Sequence, residues 1–235
     1  MLIHQATVLL SGGLDSTAAL LWARTQYREV HAVLFDYGQP NRDQELTAAA
    51  RACTRLGITR SMHALGDAFP RTRGILAKVE DHDGRDDGSS PAIVPGRNAL
   101  FAVSASAHGS VRFPNGNMAL VMGCNGQDAK RFPDCHPVAM LRLGEMLRVC
   151  IAREIQMVTP WIDRTKEQML RTFVGDAEAT DILLNSWSCY RDVGPCGRCS
   201  ACVLRNEAIV KVGLADRCMP IKMHGGDPAR DRAGG

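Results

Sequence analysis

Apolar and polar positions divide the first part of this chain into segments of two alternating kinds. Three short apolar runs predict buried strands, at residues 6–10, 29–38 and 61–66. The segments between them, at residues 16–26 and 42–57, carry apolar residues at the spacing of a helix, with Gly57 as the expected stop signal. This alternation predicts βαβ units, in which helices join parallel strands.

The same two patterns continue further along the chain. Apolar residues return at helical spacing over residues 97–110, 138–152 and 166–174, and residues 118–125 form another strand-like run. The sequence therefore predicts an α/β fold, with a Rossmann-like parallel sheet and helices on both faces. Ligands of such sheets bind beyond the carboxyl ends of the strands, so we expect the functional residues there.

Three segments depart from the alternation. Residues 78–91, KVEDHDGRDDGSSP, are polar and predict a mobile loop over the strand ends that can act as a lid. Beyond residue 181, cysteine, glycine and arginine become frequent, and the last dozen residues are polar and rich in glycine. We therefore predict an α/β domain over residues 1–180, a zinc-binding lobe over 181–222 and a disordered tail over 223–235.

Composition narrows the class of protein. Of the 235 residues, 23% are charged and 45% hydrophobic, as in ordinary globular proteins, and a net charge of +3 is too small to indicate a nucleic-acid partner. No apolar run approaches the roughly 20 residues of a membrane-spanning helix. The first residues, MLIHQATVLL, lack the basic start and the cleavage site of a secretion signal. We expect a soluble cytoplasmic protein without a membrane partner.

The first candidate chemistry lies between the first predicted strand and helix, in the sequence SGGLDST. Backbone N–H groups and the helix N-terminus converge at such a turn and suit a phosphate group, which glycines allow to approach closely. The loop lacks the third glycine of the dinucleotide fingerprint and the lysine of the Walker loop. Asp15, next to Ser16 and Thr17, indicates a site for a metal-bound pyrophosphate. We favour this interpretation over a glycine turn without a binding role.

The second candidate is a group of cysteines in the predicted lobe. The chain has nine cysteines, an odd number, and four of them lie close together: Cys189, Cys196, Cys199 and Cys202. Their spacing is typical of a metal site, and it argues against a disulfide framework or separate buried thiols. One structural Zn²⁺ per chain, held by four thiolates, fits the spacing. A four-thiolate iron–sulfur cluster is the alternative that spacing leaves open.

SGGLDST resembles the pyrophosphate loop of the PP-loop ATP pyrophosphatases, which attack the α-phosphate of ATP and release pyrophosphate. Further segments resemble one branch of that group, the 7-cyano-7-deazaguanine synthases of queuosine and deazapurine biosynthesis. In chain order these segments are FDYGQ, VPGRN, GCNGQD, FPDC, TK ahead of the cysteines, and LRNEA after them. The resemblance covers the chain from about residue 8 to residue 216, and it implies an adenine nucleotide alpha hydrolase-like fold.

An ATP-dependent carbon–nitrogen ligase is the activity that the resemblance implies. Such an enzyme converts 7-carboxy-7-deazaguanine and ammonia to 7-cyano-7-deazaguanine. ATP adenylates the carboxylate, ammonia displaces AMP to give the amide, and a second adenylation of the amide oxygen permits elimination to the nitrile. Pyrophosphate leaves at each adenylation, and no side-chain nucleophile is required. The resemblance also favours a homodimer.

The resemblance further implies roles for individual residues. The loop would bind ATP with Mg²⁺, Asp15 would contact the Mg²⁺, and Lys166 would place a positive charge near the phosphates. Arg97 would contact ATP or the substrate carboxylate, since a guanidinium matches a planar oxyanion. The expected ATP-binding residues are Leu10, Ser11, Gly12, Gly13, Leu14, Asp15, Ser16, Thr17 and Asp36. The expected substrate-binding residues are Tyr37, Gln39, Arg97, Asn98, Asp128 and Asp134. The expected catalytic residues are Asp15, Arg97 and Lys166.

Two segments differ from the family pattern where substrate recognition is expected. DAKR before FPDC brings in Lys130 and Arg131 and loses a tyrosine and a glycine, and SSPAI before VPGRN lacks an aromatic residue. These changes leave open a relative that stops at the amide or joins the deazaguanine to another nucleophile, with a nucleic-acid or protein acceptor. A tRNA-modifying PP-loop enzyme, such as a tRNA-thiolating one, would require a broad basic surface and a reactive cysteine pair, for which Cys124 and Cys135 are the candidates. A nucleic-acid-binding module with a degenerate loop would have no reason to keep Asp15 beside paired glycines.

Overall fold

A computed structural model describes residues 3–66, 68–69 and 93–214 of the chain. Within these residues, five strands form one sheet: β1 (Gln5–Leu9), β2 (Glu29–Asp36), β3 (Thr59–Ala64), β4 (Met118–Val121) and β5 (Ile155–Val158). The α-helices are α1 (Leu14–Gln26), α2 (Arg42–Leu56), α3 (Arg97–Arg112), α4 (Pro137–Cys150), α5 (Lys166–Arg171), α6 (Ala177–Leu184) and α7 (Ser200–Lys211). Two 3₁₀ turns, Asp128–Lys130 and Pro133–Cys135, precede α4.

The strands lie in the order β3, β2, β1, β4, β5, and every neighbouring pair is parallel. From β1 the chain builds one half of the sheet through β2 and β3, and then it returns to the other side of β1 for β4 and β5. This reversal opens a crevice at the carboxyl ends of β1 and β4, where folds of this class bind ligands. The predicted parallel α/β sheet is confirmed.

Helices cover both faces of the sheet. One face packs against α1 and α2, whose core also includes side chains of α5, α6 and α7, and the other face packs against α3 and α4. The side chains of β1 alternate accordingly, with Ala6 and Val8 in the first layer and Leu9 in the second. Burial on both sides explains why the strands read as short continuous apolar runs.

The boundaries of the elements agree with the predicted ones at some places and differ at others. Helix α2 ends at Leu56 as predicted, and Gly57 follows in the left-handed conformation with φ 65°. The helix predicted over residues 166–174 ends at Arg171. The apolar pattern does not predict β5, α6 or α7. Strand β5 has only four residues, too few for a periodic pattern, and α7 lies among the cysteines whose spacing dominates that segment.

Two predicted features fall outside the part of the chain that the structure describes. These are the lid over residues 78–91 and the tail over 223–235. The division of the chain into domains stays a prediction. Among the described helices, none combines the length and the apolar character that a bilayer-spanning helix needs.

Candidate active site and metal centre

The glycine loop lies where β1 ends and α1 begins. Gly13 precedes α1 in an extended conformation, and no described side chain caps the first turn of the helix, so its N–H groups are available to an anion. The hydroxyl oxygens of Ser11 and Ser16 lie 2.9 Å apart. Ser16 Oγ also accepts the N–H of Ser11 at 3.2 Å and donates to the carbonyl oxygen of Gly13 at 3.1 Å. The two serines therefore brace the loop.

Two glycines allow the neighbouring backbone to contact this loop. Gly12 has φ 85°, and a Cβ atom there would lie 2.2 Å from the carbonyl oxygen of Glu45 in α2. A Cβ atom at Gly123, just after β4, would lie 2.6 Å from the backbone nitrogen of Ser16. Both distances are far below van der Waals contact. The loop is thus packed between α2 and the end of β4 with no room for a side chain at either glycine.

Three charged side chains meet beside the loop. Lys166 Nζ lies 2.5 Å from Asp15 Oδ2 and 4.0 Å from Asp128 Oδ1, and the lysine side chain is 8% exposed. A capping box between Thr165 and Gln168 fixes the start of α5, whose first residue is Lys166. Burial acts to lower the pKa of Lys166, but the two carboxylates outweigh it and the pKa is raised. The lysine is therefore a fixed positive charge at the loop.

The two carboxylates of this group differ from each other. Burial raises the pKa of Asp128 to about 6, while the charge of Lys166 acts against the increase. Asp128 also accepts a hydrogen bond from Asn125 Nδ2 at 2.6 Å. By contrast, Asp15 Oδ1 is buried and has no hydrogen-bond partner among the described residues. A carboxylate oxygen left without a partner beside a phosphate-binding loop fits a divalent cation such as Mg²⁺.

A second polar group forms at the start of α3. Gly96, with φ 72°, turns the chain so that Arg97 becomes the first residue of the helix. Arg97 Nη1 donates to the hydroxyl oxygen of Tyr37 at 3.2 Å, and the guanidinium carbon lies 5.7 Å from the centre of the Tyr37 ring. Burial acts to lower the pKa of Arg97, but Tyr37 and Asp134 outweigh it and the pKa is raised. Asp134 also accepts the backbone N–H of Asn98 at 3.2 Å.

Glu45 is a candidate residue that the sequence motifs do not reveal. It lies in α2, lines the cleft, and accepts hydrogen bonds from Gln39 Nε2 at 3.2 Å and Asn41 Nδ2 at 3.1 Å. Burial raises its pKa to about 7, while both amides and the charge of Arg97 act against the increase. The one sequence signal was its place in the first turn of the helix that follows FDYGQ.

One cleft gathers most of the predicted site residues. From the ATP-binding set, its lining includes Leu10, Ser11, Gly13, Leu14, Asp15 and Ser16. From the substrate-binding and catalytic sets, it includes Tyr37, Gln39, Arg97, Asn98, Asp128 and Lys166. Four predicted residues are not among the described lining of this cleft: Gly12, Thr17, Asp36 and Asp134. Thr17 is buried within α1, and Asp36 instead accepts hydrogen bonds from Arg42 Nε at 2.6 Å and Gly38 N at 3.2 Å. The roles of all these residues stay predictions.

Two further cysteines, Cys124 and Cys135, are buried and line the same cleft. A hydrogen bond with Cys135 and burial raise the pKa of Cys124 well above its usual value. A thiol that stays protonated is a poor nucleophile. Cys124 therefore gives no support to the sulfur chemistry of a tRNA-thiolating enzyme.

The four cysteines of the predicted metal site come together beside the cleft. Their sulfur atoms all lie within 4.8 Å of one another, and Cys196 Sγ is 4.0 Å from Cys202 Sγ. Cys189, Cys199 and Cys202 are buried. The backbone N–H groups of Arg191 and Cys196 each donate to Cys189 Sγ at 3.4 Å, an outer contact of the kind that orients metal ligands. The four sulfurs can hold one metal ion.

Hydrogen bonds join this metal centre to the cleft at two places. The N–H of Trp187 donates to the carbonyl oxygen of Gly12 at 2.8 Å, which ties the cysteine segment to the glycine loop. Asn41 Nδ2 donates to the carbonyl oxygen of Cys189 at 2.8 Å as well as to Glu45. The metal centre therefore supports both the loop and the side of the cleft that holds Glu45.

Comparison with known proteins identifies relatives of this chain. The family model for "Queuosine biosynthesis protein QueC" matches residues 5–213. The chain is 32% identical over 216 residues to the 7-cyano-7-deazaguanine synthase of Clostridium acetobutylicum, covering 88% of this chain and 94% of that protein. It is 33% identical over 221 residues to the protein of the same name from Chromobacterium violaceum, covering 91% and 92%.

A solved structure, NMN synthetase from Francisella tularensis, aligns with a TM-score of 0.48 and 12% identity over 92% of this chain and 85% of that one. A likeness of that degree carries no argument about function. The family model, in contrast, spans both the glycine loop and the four cysteines. The chain therefore belongs to the QueC family of queuosine biosynthesis proteins.

Proposed function

We propose that this chain is a 7-cyano-7-deazaguanine synthase, an ATP-dependent ligase that converts 7-carboxy-7-deazaguanine and ammonia to the nitrile. One observation carries the proposal: a glycine loop with uncapped helical N–H groups, the Lys166–Asp15 ion pair and Arg97 share one cleft. Two relatives that carry this name match the chain over most of its length. The proposed enzyme works in the cytoplasm as a homodimer.

In the proposed reaction the glycine loop holds the triphosphate of ATP. The N–H groups of the first turn of α1 bind phosphate oxygens, and Lys166 supplies a positive charge that is already in place before the reaction. Mg²⁺ bound with the ATP would neutralise charge on the phosphates, and the unsatisfied Oδ1 of Asp15 would be its protein ligand. The loop thereby stabilises the pyrophosphate that leaves.

The substrate itself supplies the nucleophile. Its carboxylate oxygen attacks the α-phosphorus of ATP, and pyrophosphate leaves with the electron pair of the broken bond. Ammonia then attacks the activated carbon, AMP leaves, and loss of a proton gives the amide. In a second round the amide oxygen attacks the α-phosphorus of another ATP, and pyrophosphate again leaves with the electron pair of the broken bond. Loss of AMP together with the nitrogen protons then leaves the nitrile.

The other residues of the cleft would orient the substrate. Arg97, held by its hydrogen bond to Tyr37, can bind the planar carboxylate through two parallel N–H bonds. The guanine-like face of the substrate offers N–H donors, and carboxylates accept such donors in pairs. Asp128 and Glu45 both line the cleft and can take this role.

We also propose that the four cysteines hold zinc in a structural role. Four thiolates fill every position of a tetrahedral Zn²⁺, so no position is left for water or substrate. The ion would then act only through the protein, by holding the segment that bonds to Gly12 and Asn41.

Mass spectrometry of a reaction with 7-carboxy-7-deazaguanine, Mg-ATP and ammonia tests the proposal. We expect AMP, pyrophosphate and the nitrile from the wild type, and none of them from Asp15→Asn. Asp43→Asn is the matched control, because Asp43 is an 80% exposed carboxylate in α2, and it should behave as the wild type. AMP with accumulation of the amide would move the assignment to a relative that stops there. Absence of AMP from the wild type would contradict adenylation of this substrate.

A further inference from the structure

Helix α4 carries apolar side chains on its outer side that the proposed chemistry does not use. Val138 is 56% exposed, Leu141 59%, Met146 41% and Val149 80%. Their spacings of three, five and three residues keep all four within about 140° of the helix circumference, so they form a broad stripe along one side of the helix. Single exposed apolar residues are common, but a continuous stripe of them marks an interaction surface.

The sequence of this stripe is symmetric about the midpoint of α4, between positions 143 and 144. Val138 and Val149 lie at equal distances from the midpoint, and so do Leu141 and Met146. When two copies of a helix lie antiparallel about a two-fold axis, each residue lies level with its mirror position in the other copy. Val138 then faces Val149 of the second copy, while Leu141 and Met146 lie on opposite flanks of the stripe and each approaches its own counterpart, so that apolar side chains meet apolar side chains.

The charged residues of the stripe obey the same symmetry. Arg142 and Glu145 are mirror positions about the same midpoint, and within one chain Arg142 Nη1 lies 2.8 Å from Glu145 Oε2. In the antiparallel pair each arginine faces the glutamate of the second copy, so four charges of alternating sign meet at the centre. A parallel pair would instead bring arginine to arginine. Charge complementarity therefore selects the antiparallel arrangement.

A groove beside the stripe enlarges this surface. It lies between α4 and β5, which is an edge strand of the sheet, and Leu141 and Ile162 are among its lining residues. Because Leu141 of the second copy lies on the same flank of the pair as this groove, its side chain can reach the groove. The contact then joins helix to helix and also helix to sheet edge.

We propose that two copies of this chain associate through the α4 stripe, defined as Val138, Leu141, Arg142, Glu145, Met146 and Val149, in an antiparallel arrangement. The surface rests on the homodimer of the proposed function and is independent of its chemistry, which takes place at the carboxyl ends of β1 and β4. One helix pair with a groove belongs to the smaller class of interfaces. The dimer therefore dissociates on dilution.

Sedimentation velocity of the full chain over a range of concentrations tests the surface. We expect the wild type to reach twice the 25.5 kDa mass of one chain. Arg142→Glu and Glu145→Arg each place like charges at both mirror contacts. Each alone should raise the dimer dissociation constant about 100-fold, as expected for like charges brought together.

A mixture of the two variants gives the most discriminating test, because the charges of one variant can restore the contacts of the other. In an equimolar mixture of Arg142→Glu and Glu145→Arg, a mixed dimer has opposite charges at every contact, and we expect it to form as tightly as the wild type. The double variant should also dimerise. Arg51→Glu, an exposed charge reversal on α2, is the control that should leave the mass unchanged.

Two results would overturn the proposal in different ways. If the dimer tolerates both charge reversals, or if the single variants fail to rescue each other, the α4 stripe is not the dimer interface. The homodimer itself would remain supported. A monomer at every concentration would remove both and mean that something else covers the stripe. Nitrile formation by the wild type, measured separately, keeps a failure of the proposed chemistry distinct from either result.

Discussion

The two sides of the cleft are built in different ways. The phosphate side is the glycine loop, made of backbone groups and small residues and braced by Ser11 and Ser16. The acceptor side is made of polar side chains from separate elements, with Arg97, Tyr37 and Glu45 in contact or close by. The first side depends on where the backbone lies and is sensitive to added volume. The second depends on charge and is therefore sensitive to protonation.

This difference also separates what the two sides recognise. A triphosphate presents the same oxygens whatever molecule is adenylated, so a fixed backbone site suits it. The acceptor must be distinguished by its own donors and acceptors, which requires side chains of particular charge and length. Lys130 and Arg131, which depart from the family pattern, lie next to Asp128. The departure therefore falls on the acceptor side and leaves the glycine loop intact.

The largest effect that we predict is from Gly12→Ala, which breaks the phosphate side. The new Cβ atom would lie 2.2 Å from a carbonyl oxygen of α2, and φ 85° is unfavourable for alanine. We expect AMP formation to fall below detection. Urea unfolding should show that the free energy of unfolding falls by about 3 kcal/mol, because of overpacking and backbone strain.

Gly57→Ala is the control for the strain alone. Gly57 has φ 65°, but a Cβ atom there meets nothing within 4 Å. We expect the free energy of unfolding to fall by about 1 kcal/mol and the activity to stay at the wild-type level. Equal losses for the two variants would show that close packing of α2 on the loop is not what Gly12 provides.

The next effect in size is from Lys166→Met, which removes the charge shared by the two sides. The substitution leaves Asp15 and Asp128 without their cation, and the rate of adenylation should fall about 100-fold or more, the usual cost of losing one preorganised electrostatic group. Initial rates of AMP release at saturating ATP measure it. Lys211→Met, at an exposed lysine at the end of α7, should leave the rate within about threefold, since surface charges contribute little. Equal losses of rate in Lys166→Met and in the control would mean that Lys166 contributes only to the overall charge of the protein and not through its contacts in the cleft.

Asn41→Ala should separate the two sides through their links to the metal centre. It removes the side-chain bonds to Glu45 and to the carbonyl oxygen of Cys189, while the backbone bond from Trp187 to Gly12 stays. We expect KM for the carboxylate substrate to rise about tenfold, as for the loss of roughly one buried hydrogen bond, with KM for ATP unchanged. Asn185→Ala, which removes an exposed hydrogen bond from the residue that follows α6 to the carbonyl oxygen of Asp181, is the control. A parallel rise in both KM values would contradict separate support of the two sides.

The sequence could predict the phosphate side because its residues are contiguous. SGGLDST specifies a turn, a helix start and a carboxylate within a few positions, and the four cysteines likewise report on each other through their spacing. Glu45 could not be found in this way. Its place in the cleft follows from the contact of α2 with the glycine loop and with β2, and a single glutamate in a helix has no pattern of its own.

Histidines show the same limit. His31, His63 and His108 have no metal-binding spacing in the sequence, yet β2, β3 and α3 bring them together. His63 Nε2 lies 3.2 Å from His108 Nδ1, and Ser61 Oγ lies 3.0 Å from both His31 Nε2 and His108 Nε2. Such a network depends on strand order and register, which the apolar pattern alone does not fix.

The smallest predicted effect is a change in the pH dependence of stability from Glu45→Gln, on the acceptor side. Burial raises the pKa of Glu45 from 4.5 to about 7, so between these values the folded chain holds a proton that the unfolded chain has released. The contribution of this carboxyl to the free energy of unfolding therefore falls as pH rises from 4.5 to 7. In urea unfolding, the free energy of unfolding of the variant should therefore increase relative to that of the wild type as the pH rises from 4.5 to 7.

Two comparisons make this small slope interpretable. Burial lowers the pKa of His31 from 6.5 to about 4, so the folded chain resists protonation there and the contribution of His31 is lost as pH falls through that window. The difference between wild type and His31→Gln should therefore change with pH in the opposite direction. Ser11→Ala, on the phosphate side, removes an uncharged hydroxyl, and its difference from the wild type should not vary with pH. A slope for Ser11→Ala as large as that for Glu45→Gln would contradict the assignment of protonation sensitivity to the acceptor side.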